Sequence, residues 1–386
     1  MVTSPSLANS ESEFSEKILA FLDHLQIDSK PGRYRLCRVG ITNDGERLSL
    51  AMSCFALKVY VMLNAWDKLD VQVKVDWINY INSFQVAREV IGNTVYHNAF
   101  INQELMAYLN QPSFIRSIRS VQSKSIREII RIPFGLKSMS RTEQVVISET
   151  KQAIATLSEV GKMTLKPYES FPKSNADIFK FMSSLDWSLP WAAGGQAASL
   201  AVFLNTEANR LLGQDLIQRL TAANYEFFTS IVDPKSGCYF KGRQPPYASI
   251  VNGTMKVLTA LDWLDSPIHY PEKLIDTTLR QLPASDGCNL VDAVYVLFRC
   301  TRITDYRKSD VIDYAKKVET MVHKHYNLDH GFSYYIGRAQ KWYSGLKVSK
   351  GYRESDLHGT VLLLWAYIMI QEICYPGKFK WNVIRP

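Results

Sequence analysis

The chain has 386 residues, 46% hydrophobic and 21% charged, with a net charge of +8 and a pI near 9.0. That length exceeds one ordinary compact domain, and that mix excludes a disordered or low-complexity chain, leaving two domains or one large repeated architecture. The positive balance favours an anionic partner or substrate, and the six scattered cysteines, with no CxxC pair, read as reduced thiols.

Residues 1–30 read as a polar, Ser-rich segment followed by an outer helix over 14–25, where apolar residues recur at three and four. Neither a leader nor an uninterrupted run of about 18 apolar residues is evident, so the expected location is cytoplasmic, with at most peripheral membrane contact. Loops at Pro31-Gly32 and Asn43-Asp44-Gly45 lead into a strongly apolar segment, 48–66, and an amphipathic one, 73–84. The same order then repeats. Segments 102–109, 145–157, 192–204, 250–264, 290–300 and 357–373 read as buried helices, and 117–131, 178–185, 208–231, 272–282 and 309–325 as more charged ones between them. No strictly alternating run bounded by hairpin turns is visible. The prediction is an all-α fold, an α/α toroid (barrel) of about six to seven helix hairpins over 31–376, with a tail at 377–386.

An internal repeat supports it. Gly237 to Arg243 leads through a loop into Asn252-Gly253-Thr254, and Gly331 to Arg338 leads through a longer loop into His358-Gly359-Thr360. Both units run Gly, aromatics, Gly-Arg, loop, polar-Gly-Thr, apolar helix, as expected of stacked helix pairs sharing one core. The helix starts would then gather on one rim, where free N–H groups and the helix dipole suit anions. Asn252 is expected to cap one helix and Asp356 the helix that carries His358.

Candidate side chains cluster near these starts. Trp187 and Trp191 can flank a sugar ring or an isoprenoid, Gln196 offers a polar contact, and Asp186 is either an acid desolvated by its aromatic neighbours or a turn residue before Pro190. Arg338, Lys341, Lys347, Lys350 and Arg353 are interleaved with Trp342, Tyr343 and Tyr352, and lead to Glu354, Asp356 and His358. The cations, with Arg243 from the first unit, can clamp a diphosphate or uronate while His358 exchanges protons with Glu354 or Asp356. A second basic stretch, Arg116, Arg119, Lys124, Arg127, Arg131, Lys137 and Arg141, suits membrane headgroups or an acidic protein. No motif supports sequence-specific nucleic-acid binding, and no P-loop, dinucleotide-binding, nucleophile-elbow or HExxH pattern occurs.

At Gly237 to Ile373 the sequence resembles the terpenoid cyclase and protein prenyltransferase superfamily, whose scaffold is an α/α toroid with Gly-aromatic loops. The resemblance implies an isoprenoid or prenyl-diphosphate substrate in an aromatic-lined cavity. It also implies a zinc ion held by Cys288, Asp292 and His358, through Asp286-Gly287-Cys288, the following Leu290-Val291-Asp292 and the later His. The acidic Asp-x-Asp-Asp motif and the Gln-Trp repeats of the cyclases are absent, so Asp186 would have to supply the acid. Two alternatives remain open: a carbohydrate-active toroid, glycosidase or polysaccharide lyase, working on an acidic glycan through Asp186, Asp292, Glu354 or Asp356, and a noncatalytic toroid that binds a partner through the basic stretch.

Overall fold

A computed structural model describes residues 10–109 and 140–386. In chain order its helices begin with α1 (Glu11–Leu25), α2 (Asn43–Glu46), α3 (Ser49–Met62), α4 (Val71–Asn82), α5 (Gln103–Leu109) and α6 (Arg141–Glu159). There follow α7 (Asn175–Ser184), α8 (Pro190–Thr206), α9 (Ala208–Leu211), α10 (Gln214–Ile231) and α11 (Tyr247–Trp263). The last four are α12 (Pro271–Thr278), α13 (Gly287–Thr301), α14 (Lys308–His323) and α15 (Leu357–Cys374).

Helices α3, α8 and α15 are apolar on almost every side, the pattern of a helix packed all round. They belong to a closed ring of six: α3 packs on α6, α6 on α8, α8 on α11, α11 on α13, α13 on α15, and α15 returns to α3. Amphipathic helices form an outer layer, with α4 against α3, α10 against α8 and α7, α12 against α13, and α14 against α15. The fold is thus the expected all-α toroid. Among the described residues the ring has six inner helices, because the segment expected at 102–109 is the short α5, and the ring closes without it.

Three expectations change. Residues 85–100 form an antiparallel hairpin, β1 (Gln85–Ile91) and β2 (Thr94–Phe100), turning at Gly92 with φ +61°. Arg88, Glu89, His97 and Asn98 interrupt its alternation, which hid it from the periodicity. A second small hairpin pairs β3 (Trp342–Tyr343) with β4 (Leu346–Lys347). Asn252 is not a cap: α11 already begins at Tyr247, and Asn252 is its sixth residue. Finally, α15 is long and apolar enough to cross a membrane by length and composition, but 78% of it is buried inside the ring.

Gly253 serves close packing. A Cβ there would stand 2.5 Å from the Pro190 Cβ, and one on Gly194 2.8 Å from the Lys256 Cβ, so α8 and α11 touch through these glycines. The N-terminal ends of α13 and α15 share a rim with the loop 331–356: the Gly287 N–H donates to Tyr334 O at 3.0 Å, and the Phe332 N–H to Thr360 Oγ1 at 3.0 Å. Residues 380–386 cross the opposite rim. There Asn382 N–H donates to Met62 O at 2.9 Å, Arg385 N–H to Glu159 at 2.9 Å, and the Trp263 indole to Pro386 O at 3.1 Å.

Candidate functional site at the ring axis

His358 sits in the first turn of α15, whose N-cap is Asp356 as expected. Its Nδ1 lies 2.7 Å from Gln340 Oε1, an acceptor, so Nδ1 carries the proton and Nε2 keeps the lone pair. The imidazole is stacked between Phe55 at 5.1 Å and Tyr334 at 5.5 Å, with Tyr343 edge-on at 5.1 Å. Burial, followed by the charge of Lys256, pushes its pKa down to about 3, so the ring is neutral at pH 7.

The two acids beside it hold backbone. Asp356 Oδ1 accepts the Gly359 N–H at 2.7 Å, and its Oδ2 accepts those of Tyr334 at 2.8 Å and Gln340 at 3.0 Å. Burial raises its pKa to about 6 against the pull of those three donors. Glu354 accepts the N–H groups of Val39 at 2.8 Å and Gly40 at 2.6 Å. Neither has the free oxygen expected of a proton carrier for His358; both fix the loop that delivers Tyr334, Gln340 and Tyr343.

A polar chain crosses from α11 to α13. Asn252 Nδ2 donates to Asn289 Oδ1 at 3.0 Å, Asn289 Nδ2 to Asp286 Oδ2 at 2.5 Å, and the Tyr334 hydroxyl to Asp286 Oδ1 at 3.3 Å. Deeper lie groups that the sequence did not single out. Lys58, Lys151 and Lys256, from α3, α6 and α11, act on one another's charge, and burial lowers the pKa of Lys58 and, further, of Lys151. Burial raises Glu149 to about 8, and raises Asp292 to about 7 against the pull of Lys256. The Asp292 Oδ2 is buried without a hydrogen-bond partner. At neutral pH the axis therefore presents a neutral imidazole and lysine side chains beside two carboxyls, Glu149 and Asp292, whose protonated forms burial favours. A lone charge in an apolar helix, Lys58 in Ala56-Leu57-Lys58-Val59-Tyr60 or Lys256 in Thr254-Met255-Lys256-Val257-Leu258, was the available signal.

The remaining candidates disperse. Asp186 is exposed and accepts from the N–H and hydroxyl of Ser188 at 3.0 and 2.6 Å, the turn role, so the desolvation expected of an acid is absent. Trp187 is 2% exposed, its indole donates to Met182 O at 2.8 Å, and it packs on Phe227 and Phe228, which removes it from ligand contact. Trp191, 50% exposed in the first turn of α8, stays available on the rim, and Gln196 is buried with Oε1 unpartnered. Arg243, Arg338, Lys341, Lys347, Lys350 and Arg353 are exposed, with Lys350 over the Tyr352 ring at 5.7 Å; Trp342 is half-buried. Of the second basic stretch, Arg116 to Lys137 lie outside the described residues, and Arg141 bonds Ser344 O in the loop.

The zinc set is not assembled. Among the described residues no three His, Cys, Asp or Glu side chains gather to hold a metal ion. Burial and Asp292 hold the Cys288 thiol protonated, up to about 12, and its neighbour is the Tyr334 hydroxyl rather than an ion's other ligands. Nor is the axis an aromatic sleeve for a prenyl chain, since its depth carries three lysines and two carboxyl groups. Surface clefts of about 360 and 190 Å³ lie at the opposite ends of the inner helices, one beside Thr301 and Ile373, the other beside Ser158 and Thr206.

No family model and no curated protein matches the chain. A solved polysaccharide lyase aligns over 97% of this chain and 100% of its own, at 12% identity and a TM-score of 0.47. So slight a likeness assigns nothing. The resemblance to terpenoid cyclases and prenyltransferases is withdrawn on the site itself: among the described residues neither the zinc set nor the apolar cavity which that resemblance implied is formed.

Proposed function

We propose that this chain is a carbohydrate-active toroid enzyme that cleaves an acidic glycan by β-elimination. One observation carries the reading: a neutral imidazole stands beside the charge of Lys256, while no two free carboxylates face each other there. Hydrolysis by the usual route needs two carboxyl groups flanking the bond, one of them ionised. Here Asp186 is in an exposed turn, Glu354 and Asp356 are tied to amides, and burial raises Glu149 to about 8 and Asp292 to about 7, away from the low value of a standing carboxylate.

Elimination uses the groups that are present. Lys256 would offset the uronate carboxylate, which makes the neighbouring carbon-bound hydrogen more acidic. His358 would accept that proton, the C–O bond to the leaving sugar would break as a C=C bond forms, and Tyr343 would supply the leaving oxygen with a proton. The charge of Lys256 is one of two causes that depress His358, so a bound carboxylate neutralising it would raise the imidazole's basicity when substrate is in place. Trp191 on the rim offers a stacking face for a sugar.

The test is incubation with uronic-acid polysaccharides while following the ultraviolet absorbance of the new conjugated double bond. New reducing ends without that absorbance would mean hydrolysis and would sink the eliminative route.

A further inference from the structure

The contact between Gln340 and His358 is fixed from both sides by one carboxylate. Asp356 Oδ1 accepts the Gly359 N–H at 2.7 Å in the first turn of α15, and Asp356 Oδ2 accepts the backbone N–H of Gln340 at 3.0 Å. The Gln340 carbonyl is held as well, accepting the Ser349 hydroxyl at 2.7 Å. With its backbone tied at both ends and the residue 6% exposed, Gln340 sets its side chain against the imidazole, Oε1 2.7 Å from Nδ1. The neighbouring polar groups are engaged elsewhere: the Tyr334 hydroxyl donates to Asp286 at 3.3 Å, and Glu354 accepts the N–H groups of Val39 and Gly40.

Two nitrogens are left over. His358 Nε2 and Gln340 Nε2 make no hydrogen bond among the described residues, and neither is sealed from solvent without a partner as Gln196 Oε1 and Asp292 Oδ2 are. Both therefore stay open to a ligand. Because Oε1 and Nε2 of Gln340 share one carbon, the open amide donors stand beside the ring. The state of one imidazole nitrogen follows from what the other bonds, and here the partner is an amide, which has N–H donors to spare where a carboxylate has none.

We propose that Gln340 has two roles: its Oε1 is the positioning group that keeps the His358 proton on Nδ1, and its Nε2 donates to an acceptor oxygen of the sugar whose proton His358 removes. This rests on the eliminative reading of the same site, in which His358 is the base. The first role makes Nε2 the basic atom in nearly every molecule, and the second holds the sugar against it.

The experiment reads the tautomer directly, by nitrogen NMR of isotopically labelled histidine at pH 7, with His358→Gln to assign the signal. The wild type should show Nδ1 protonated and Nε2 bare. Gln340→Glu keeps an acceptor in place and should preserve that pattern, whereas Gln340→Met removes it and should move the signals towards a mixture of both tautomers. A wild-type proton on Nε2, or an unchanged pattern in Gln340→Met, would overturn the positioning role, and the wild-type spectrum decides alone should Gln340→Met not fold. The donor role is read by thermal shift. Sodium glucuronate should raise the wild-type Tm, and Gln340→Glu, folded by the same spectra but without the amide donors, should weaken its apparent Kd by about tenfold or more. No shift in the wild type, or an unchanged Kd in Gln340→Glu, would overturn the sugar contact. If spectra and shifts come out as stated while no glycan is cleaved, the eliminative reading fails and the assignment of Gln340 stands.

Discussion

The units Gly237–Trp263 and Gly331–Cys374 run through the same sequence of glycine, aromatics, Gly-Arg, loop and polar-Gly-Thr, and the ring uses them differently. In the first, α11 starts five residues before Asn252, after Pro246, which offers no side-chain cap, and Gly253 packs on Pro190 of the neighbouring inner helix. In the second, α15 starts immediately before His358 under Asp356, and a Cβ on Gly359 would stand 2.4 Å from the Tyr334 amide nitrogen, in the unit's own loop. One Gly-Thr pair joins two helices. The other presses a loop against the start of its own helix, and that loop brings Tyr334, Gln340 and Tyr343 to the imidazole. A shared pattern therefore records shared packing, and the chemistry follows from which neighbour the glycine admits.

The largest test of this contrast is catalytic. His358→Gln should lower turnover of an acidic glycan by about 10²–10⁴-fold, the ordinary worth of a general base. Asn252→Ala, the counterpart in the first unit, should cost less than about tenfold; equal losses measured by initial rates would erase the distinction. Next comes the cap. Asp356→Ala strands three buried N–H groups and should destabilise the fold by about 4 kcal/mol in denaturant unfolding, whereas Pro246→Ala should change it by less than about 1 kcal/mol.

The glycines follow. Gly359→Ala meets backbone that cannot yield and should cost about 3 kcal/mol, and Gly253→Ala, facing partly the Pro190 ring, about 2 kcal/mol. A larger loss at Gly253 would reverse the comparison.

The smallest effect is a pH dependence. Asp292 is raised from 3.8 to about 7 in the fold, so its favourable contribution is complete below about pH 4 and is lost as pH rises to about 7. Asp292→Asn should then raise Tm relative to wild type at pH 8, by an amount on the order of 1 kcal/mol of stability, and the difference should shrink at pH 4. His358 works in the opposite window. Lowered from 6.5 to about 3, it favours the fold above about pH 6.5, and that contribution is lost as pH falls towards 3. A Tm profile of Asp292→Asn identical to wild type from pH 4 to 8 would count against a protonated carboxyl at that position.

Local sequence determined that this chain is helical and that apolar and amphipathic helices alternate, through hydrophobic periodicity, and that Asp356 caps the helix carrying His358, through its side chain at the helix start, because these depend on residues one or two turns apart. The internal repeat and the basic, aromatic loop before it drew attention to His358 and Tyr343, which do meet at the axis. Local sequence could not show that Trp187 faces the outer core, that Glu354 reaches back to Val39 and Gly40, or that the charge of Lys256 bears on His358. The zinc set failed for the same reason: Cys288 and Asp292 share a helix face, but their distance from His358 depends on how α13 and α15 cross. Which side chains converge in a toroid is decided by ring closure, since that step alone brings helices far apart in the chain to one axis and sets the burial that displaces their protonation.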